Sequence, residues 1–255
     1  MPRWARITIT LAAVFVTCLV YAIFFGAQTI SMLEVRHMAS KAPVIDRVPV
    51  PLQDLSVSQA TGTKLSYFGY SLEILWNDVD PTRGKIWTNR VVVAFKSGNA
   101  MMLTSVPGND FVNGIATSLH VTPEKLREGF GDQVRSDYAF KTLILNVTPK
   151  WITFRRTWRQ CTSISMLLMF KAVMLPSQDI DLFSFQTKDF KGFQFGDPKR
   201  RPPRIAVELY SDQGELEFYF FQTQGGKAPA ISQADLNRII HTIHKEPSSP
   251  ALGGN

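Results

Sequence analysis

Residues 204–221 read RIAVELYSDQGELEFYFF, and this stretch determines most of what the sequence says about the fold. Apolar and polar residues alternate through 204–210 and again through 215–221, which is the period of a strand with one buried face. Between them, the sequence SDQG at 211–214 is typical of a turn. The stretch therefore predicts an antiparallel hairpin. Six apolar residues share its predicted buried face: Ile205, Val207, Leu209, Leu216, Phe218 and Phe220.

The opposite face of this hairpin carries three acidic residues, Glu208, Glu215 and Glu217. An antiparallel sheet commonly packs on the core with one face and meets water with the other. We therefore expect a sheet that is covered on one side only, with these three carboxylates in solvent.

The rest of the chain supplies further strands and helices in separate runs. Alternation or β-branched residues predict strands at 70–76, 90–96, 100–106, 182–187 and 190–195. Helical spacing and cap residues predict helices at 109–119, after Thr122, at 132–147, at 156–175 and after Ser232. Because strands and helices are segregated, we predict an α+β fold with a largely antiparallel sheet packed with helices. Strict βαβ alternation is absent, which argues against a doubly wound nucleotide-binding fold.

An uncharged run near the amino terminus, Ile7 to Leu33, is 27 residues long. A transmembrane helix needs about 20 apolar residues. The run fits an uncleaved anchor, a cleaved secretory signal or a buried core helix. Soluble helices rarely lack a polar face over this length. The candidate cleavage site places bulky Phe25 where signal peptidase prefers a small residue. We therefore predict one N-terminal transmembrane helix that precedes the α+β domain.

Arg3 and Arg6 precede the apolar run, so the positive-inside rule favours a cytoplasmic amino terminus and an extracytoplasmic C-terminal part. Pro43, Pro49 and Pro51 favour a linker after the helix, although this segment could pack on the domain instead. The predicted organisation is a cytoplasmic tail at 1–6, a transmembrane anchor at 7–30, a juxtamembrane linker at 31–63, a single α+β domain at 64–245 and a disordered tail at 246–255.

Composition places the chain among ordinary globular proteins. It has 28 basic and 21 acidic residues, a formal charge of +7, 45% hydrophobic residues and two cysteines. These values argue against a disordered chain or a disulfide-stapled scaffold. Neither a dinucleotide-binding nor a P-loop motif is present. Ser71 lies in the sequence GYSLE, which lacks the second glycine of a hydrolase elbow, so we expect it on the outward face of a strand.

Two pairs of residues could bind a metal ion, and both have a simpler interpretation. His241 and His244 are three residues apart on the last predicted helix, a spacing that permits two ligands. Asp78 and Asp80 share one loop, in which Asp80-Pro81 is typical of a turn. We interpret the histidines as solvated and the aspartates as turn residues. The sequence therefore predicts no metal site, no cofactor and no catalytic set.

Two basic clusters are candidate contacts for anions or lipid headgroups. The first surrounds Trp158 at the start of a long helix, and the second lies in a loop between strands. The candidate residues are Arg155, Arg156, Arg159, Lys199, Arg200 and Arg201. Basic side chains near an aromatic ring can contact phosphate groups. The alternative is that both clusters are solvated surface charges that pair with acidic residues.

These observations favour a membrane-anchored protein with an extracytoplasmic binding or interaction domain. The expected partners are the lipid bilayer and another membrane or envelope protein, with no nucleic acid. The alternative is a membrane-anchored hydrolase or transferase whose site is assembled from residues distant in sequence. No motif decides between the two, and the absence of a catalytic motif favours the binding function.

Overall fold

The computed structural model describes residues 3–41, 43–53, 56–59, 62–153, 155–175, 180–199, 205–212, 214–222 and 231–246. The α-helices formed by these residues are α1 Arg3–Lys41, α2 Asp110–Ser118, α3 Pro123–Phe130, α4 Asp137–Asn146, α5 Trp158–Met174 and α6 Gln233–Thr242. The strands are β1 Val50–Pro51, β2 Thr63–Tyr67, β3 Tyr70–Ile74, β4 Lys85–Ile86, β5 Arg90–Ala94, β6 Asn99–Pro107, β7 Leu182–Gln186, β8 Lys191–Phe195, β9 Ile205–Ser211, β10 Gly214–Gln222 and β11 His244–Lys245.

Within the described residues, eight strands form one sheet in the order β1-β7-β8-β9-β10-β6-β5-β4. All of its pairings are antiparallel except the short one between β1 and β7. The hairpin predicted from residues 204–221 lies at its centre, with Leu216 opposite Leu209 and Glu217 opposite Glu208. The structure therefore confirms an α+β fold with a largely antiparallel sheet.

One face of the large sheet packs against α6 and a smaller sheet of order β11-β3-β2. Ser232 caps α6: its hydroxyl accepts from the Asp235 amide, and the Asp235 carboxylate accepts from the Ser232 amide. The apolar residues of α6 recur at helical spacing and join the core. This core includes Leu72, Ile74, Phe95, Leu103, Val207, Leu209, Phe218, Leu236, Ile239 and Ile240.

The other face of the large sheet is also covered, which corrects the expectation of a sheet open to water. Tyr138, at the start of α4, stacks on Phe193 with ring centroids 5.5 Å apart and lies equally close to Tyr210. Glu208 and Glu215 are only 7% and 4% exposed. The prediction that these carboxylates face solvent is wrong for Glu208 and Glu215, because Tyr138 packs on this face, whereas Glu217 is partly exposed.

The chain divides into two compact units. Unit 1 contains Met1–Val48 and Lys141–Asp179, and unit 2 contains Pro49–Phe140 and Ile180–Asn255. Both sheets belong to unit 2, whereas α1 and α5 belong to unit 1. The division crosses the range 64–245 that the sequence assigns to a single domain. The precise domain boundaries stay a prediction.

Helix α1 includes residues 31–41, which the sequence assigned to the linker. Its two arms, Leu11–Ile23 and Gln28–His37, meet at an angle of 66°. No single helix of the described residues is long and apolar enough to cross a membrane, whereas these two arms together meet the criterion of length and composition. A signal sequence or a core helix meets the same criterion. The transmembrane helix therefore stays a prediction.

The second arm of α1 packs inside unit 1. Gln28, Ser31 and Val35 are buried on one face, and α1 contacts α5 and the 3-10 turn Pro43–Asp46. Every residue of the first arm, Leu11–Ile23, is exposed. The two halves of one helix therefore have opposite environments.

Part of the predicted linker packs on α6, as the alternative interpretation allowed. The Asn237 side chain donates to the Ser56 carbonyl at 2.7 Å, and Arg238 donates to the Ser58 carbonyl at 2.8 Å. Arg238 also forms a 2.8 Å ion pair with Glu73 on β3. In the predicted C-terminal tail, 247–255 lie outside the described residues, as do 1–2 of the predicted cytoplasmic tail.

Candidate functional site

Three carboxylates from two neighbouring strands lie close together on the large sheet. Glu208 lies on β9, and Glu215 and Glu217 lie on β10. Each residue offers one oxygen, and these oxygens all lie within 4.8 Å of one another. We call this group the carboxylate cluster. Its geometry follows from register, because Glu217 is directly opposite Glu208 and Glu215 lies two residues away on the same face.

Such an arrangement costs free energy when all three groups are charged. Like charges directly opposite one another destabilise a strand pair. Two carboxylates 4.8 Å apart repel by about 3 kcal/mol at an effective dielectric constant of about 20. Burial of Glu208 and Glu215 adds a desolvation cost. Hydrogen bonds, opposite charges or protonation must therefore offset this cost in the folded protein.

Two tyrosines border the carboxylate cluster. The Tyr210 hydroxyl donates to Glu208 Oε2 at 3.1 Å. Burial raises the pKa of Tyr210 well above 10, and the nearby carboxylates raise it further. Burial, together with Glu217 and Glu208, raises the pKa of Tyr219 to about 12. Both phenols are protonated at neutral pH, so they can donate hydrogen bonds and add no negative charge.

A buried hydroxyl completes the row of side chains across the sheet. Register places Arg90, Thr104, Glu217 and Glu208 on four successive strands, in that order. Thr104 is 4% exposed, and its Oγ1 has no hydrogen-bond partner among the described residues. A buried hydroxyl is normally hydrogen-bonded. Thr104 therefore presents unused polar capacity beside Glu217.

The sequence contained a signal for this cluster that the expectation of an open sheet obscured. The turn at 211–214 pairs Ser211 with Gly214, and counting back along both strands pairs Glu208 with Glu217. Two acidic residues directly opposite each other destabilise a strand pair unless another interaction offsets their repulsion. What the sequence could not show is that Tyr138 covers this face.

Ser71 and His244 form a second polar contact, and both positions differ from expectation. Ser71 is fully buried instead of facing outward. His244 lies on β11, beyond the end of α6, so it does not share a helix with His241. The His244 Nδ1 lies 2.9 Å from the Thr242 carbonyl, which fits donation from Nδ1–H to that oxygen.

The contact between Ser71 and His244 does not have the geometry of a nucleophile and its base. Ser71 Oγ lies 2.7 Å from Nε2 and also 3.4 Å from Nδ1. An oxygen in line with the Nε2 lone pair would be much farther from Nδ1, so the hydroxyl lies beside the ring. His244 lines a cavity of about 330 Å³ together with Asp189 and Asp212, but Ser71 does not. The described residues therefore supply no accessible nucleophile here.

The loop aspartates serve as turn residues, as expected. Asp78 accepts a hydrogen bond from the Ser97 amide at 2.6 Å. Asp80 accepts from both the amide and the hydroxyl of Thr82, at 3.0 and 2.6 Å. The Thr82 hydroxyl is the main cause of a lowered pKa for Asp80. Both carboxylates are thus committed to the loop.

The first basic cluster lies in unit 1 at the start of α5. Arg155, Trp158 and Arg159 are exposed, and the Arg159 guanidinium lies 5.9 Å from the Trp158 ring centroid. Thr157 and Gln160 form a capping box, in which the side chain of each accepts a hydrogen bond from the backbone amide of the other. Arg156 is partly buried beside them.

The second basic cluster belongs to the other unit. Lys199 is exposed in unit 2, where its amide donates to Asp197. Arg200 and Arg201 lie outside the described residues. The predicted contact surface is thus divided between the two units, and only the cluster around Trp158 is described in full.

One buried charge was not singled out from the sequence. Lys171 on α5 is fully buried, and its Nζ donates to the Val147 carbonyl at 2.7 Å. Burial lowers its pKa to about 8, against the opposing effect of the Asp46 carboxylate. Its position inside the most apolar stretch of α5 was the available signal.

Comparisons with known protein families, with curated proteins and with solved structures found no match to this chain.

Proposed function

We propose that this protein is a membrane-anchored binding protein. In this proposal the first arm of α1 lies in the bilayer, and unit 1 contacts anionic lipid headgroups through the start of α5. The observation that carries the proposal is the exposure of every residue in Leu11–Ile23. A helix that is apolar all round is stable either inside a protein or inside a membrane. This arm is not covered by the described protein.

Length supports the same interpretation. From Ile7, where the uncharged run begins, to Ile23, where the first arm ends, the helix contains 17 residues, which correspond to about 26 Å at 1.5 Å per residue. Membrane-spanning helices contain about 17–25 residues, so this length is at the short end of that range. Packing within unit 1 begins at Gln28. The membrane segment in this proposal lies within the range 7–30 expected from the sequence.

The outer surface of α5 fits a position at the membrane surface. Met169 and Val173 are 57% and 85% exposed, and with Trp158 they fall within about 60° around the helix axis. Arg155 and Arg159 lie at one end of this apolar stripe. Basic residues, an interfacial tryptophan and an apolar stripe are typical of helices that lie against headgroups.

Binding is favoured over catalysis because the described residues bring no nucleophile, base and substrate cavity together. The expected location is a single-pass membrane protein with a cytoplasmic amino terminus and an extracytoplasmic C-terminal part. Its partners would be the bilayer and another membrane or envelope protein. Protease added to intact cells tests this orientation. Digestion of the C-terminal part supports an extracytoplasmic location, and its protection contradicts that location.

Membrane extraction tests the anchor directly. We expect the full-length chain to stay with membranes through an alkaline wash and to carry its intact mass. Val16→Lys combined with Leu19→Lys places two charges at the centre of the arm, at about 2.5–3.5 kcal/mol each, and should release the protein. Ile86→Lys, which charges an exposed apolar residue of unit 2, is the matched control. Release of the wild-type chain, or a mass that lacks the first arm, refutes the anchor.

Lipid contact has its own test, with the full chain in nanodiscs. Brominated lipids should quench Trp158 fluorescence, measured as the difference between wild type and Trp158→Phe. Quenching should be stronger when a third of the lipid is phosphatidylglycerol, and this gain should weaken in high salt. Arg155→Gln with Arg159→Gln should abolish the gain, whereas Lys125→Gln on the exposed surface of α3 should not. Quenching independent of lipid charge refutes headgroup recognition.

A further inference from the structure

We propose that the carboxylate cluster, together with Thr104, binds one divalent cation of the size of Ca²⁺. The ligands would be one oxygen each from Glu208, Glu215 and Glu217, with the Thr104 hydroxyl beside them. This site lies in unit 2 and does not depend on the proposed membrane anchor.

The three carboxylate oxygens are close enough together to bind one ion. Ca²⁺ binds oxygen ligands at 2.3–2.6 Å, so two ligands of one ion can be at most about 5 Å apart. The three carboxylate oxygens lie within 4.8 Å of one another, which satisfies this limit. They are supplied by adjacent antiparallel strands whose register is fixed by a short turn. The donors are therefore held in place before an ion arrives.

The Thr104 hydroxyl adds a fourth oxygen beside the carboxylates. Its hydroxyl is buried, has no hydrogen-bond partner among the described residues, and lies on the same sheet face directly across from Glu217. Cβ atoms of directly opposite residues are about 4.5–5.5 Å apart, so a cation held by Glu217 would lie within reach of this oxygen. A neutral hydroxyl and three carboxylates form an all-oxygen donor set, which favours hard cations such as Ca²⁺ over Zn²⁺ or Cu²⁺.

The surrounding groups fit this role. The Tyr210 hydroxyl donates to Glu208 Oε2 at 3.1 Å and so orients this carboxylate. Carboxylates that bind metal ions are commonly oriented by such hydrogen bonds. Among the described residues of this face, Arg90 lies opposite Thr104 and Lys191 lies opposite Tyr210.

Calorimetric titration of the full chain with CaCl₂ tests the site. The protein is held in an uncharged detergent without lipid, after removal of bound metal with a chelator. Failure of headgroup recognition therefore leaves this measurement unaffected. Wild type should bind about one Ca²⁺ and should melt at a higher temperature in its presence. Mg²⁺ should bind more weakly, because it demands shorter bonds and a stricter geometry.

Two variants and one control locate the binding. Glu217→Gln keeps the shape of a half-buried side chain and should weaken Ca²⁺ binding at least tenfold. Thr104→Val should weaken it severalfold without loss of folding, as circular dichroism can verify. Glu128→Gln on the exposed surface of α3 should change the affinity less than twofold.

Three outcomes overturn the proposal. The first is absence of Ca²⁺ binding by a folded wild-type chain. The second is equal binding by wild type and Glu217→Gln. The third is a melting temperature that responds to pH but not to Ca²⁺, which would show that the cluster is neutralised by protons alone.

Discussion

The two faces of the large sheet are both covered, yet they differ in almost every chemical respect. The face toward α6 is lined by Val207, Leu209 and Phe218, with no charge among them. On the same strands, the opposite face carries the carboxylate cluster and two tyrosines. A single step of one residue along β9 or β10 separates the two environments.

The two faces therefore contribute differently to stability. Burial of apolar side chains stabilises the fold in proportion to the area removed from water. Burial of like charges works against stability unless something neutralises them. The α6 face therefore holds the fold together, and the tyrosine-lined face is where the titratable side chains are concentrated.

Truncation of a core side chain on the α6 face should cost more stability than any other change proposed here. Phe218→Ala should lower the free energy of unfolding by about 3–5 kcal/mol, because it removes a fully buried ring from the core. Phe221→Ala is the matched control, since Phe221 lies on the other face of the same strand and is 37% exposed. Urea denaturation should show a loss at least twice as large for Phe218. Equal losses would show that the two faces do not differ in this way.

Lys171 sharpens the comparison with a buried charge of the opposite sign in unit 1. Its pKa is lowered to about 8 from 10.5, so the folded state releases this proton at lower pH than the unfolded state. The free energy of unfolding should therefore rise between about pH 8 and 10.5, by up to about 3 kcal/mol. Denaturation across this range should show the rise in wild type and its loss in Lys171→Met. A rise that persists in the variant contradicts the assignment.

Removal of one charge from the carboxylate cluster should stabilise the metal-free protein. Glu215→Gln keeps a hydrogen-bond acceptor and removes a buried negative charge, so we expect a gain of about 1–2 kcal/mol in the presence of a chelator. The gain should shrink or reverse when Ca²⁺ is added. Denaturation of wild type, Glu215→Gln and Glu128→Gln, each with and without Ca²⁺, measures both effects. If Glu215→Gln instead lowers the free energy of unfolding in the presence of a chelator, protein groups already neutralise the Glu215 charge.

A further test concerns Tyr219, which lies on the same face as the carboxylate cluster. Its pKa of about 12 means that the folded state keeps the phenol proton where the unfolded state loses it, near pH 10. The contribution of Tyr219 to stability is thus fully present below pH 10 and is lost as pH rises toward 12. Ultraviolet absorbance of the phenolate should show one late-titrating tyrosine fewer in Tyr219→Phe than in wild type, while Tyr210 titrates late in both proteins. Titration of all tyrosines near pH 10 would contradict the burial of this group.

Much of the fold could be predicted because it depends on local patterns. Alternation through 204–221 determined the hairpin, its turn and therefore its register. Ser232 was recognisable as the start of α6, where it serves as the N-cap. The apolar run that contains Leu11–Ile23 was evident from the absence of charge. Each of these features is set by neighbours within a few residues.

Other features depended on parts of the chain that meet only after folding. The sequence placed Glu208, Glu215 and Glu217 on one face, but Tyr138 covers that face from about 70 residues away. Ser71 is buried because His244 returns beside it from the far end of the chain. The period of a strand decides which side chains share a face, whereas the path of distant segments decides what covers it. For this reason the sequence determined the carboxylates' alignment, and only the tertiary structure made them a buried cluster.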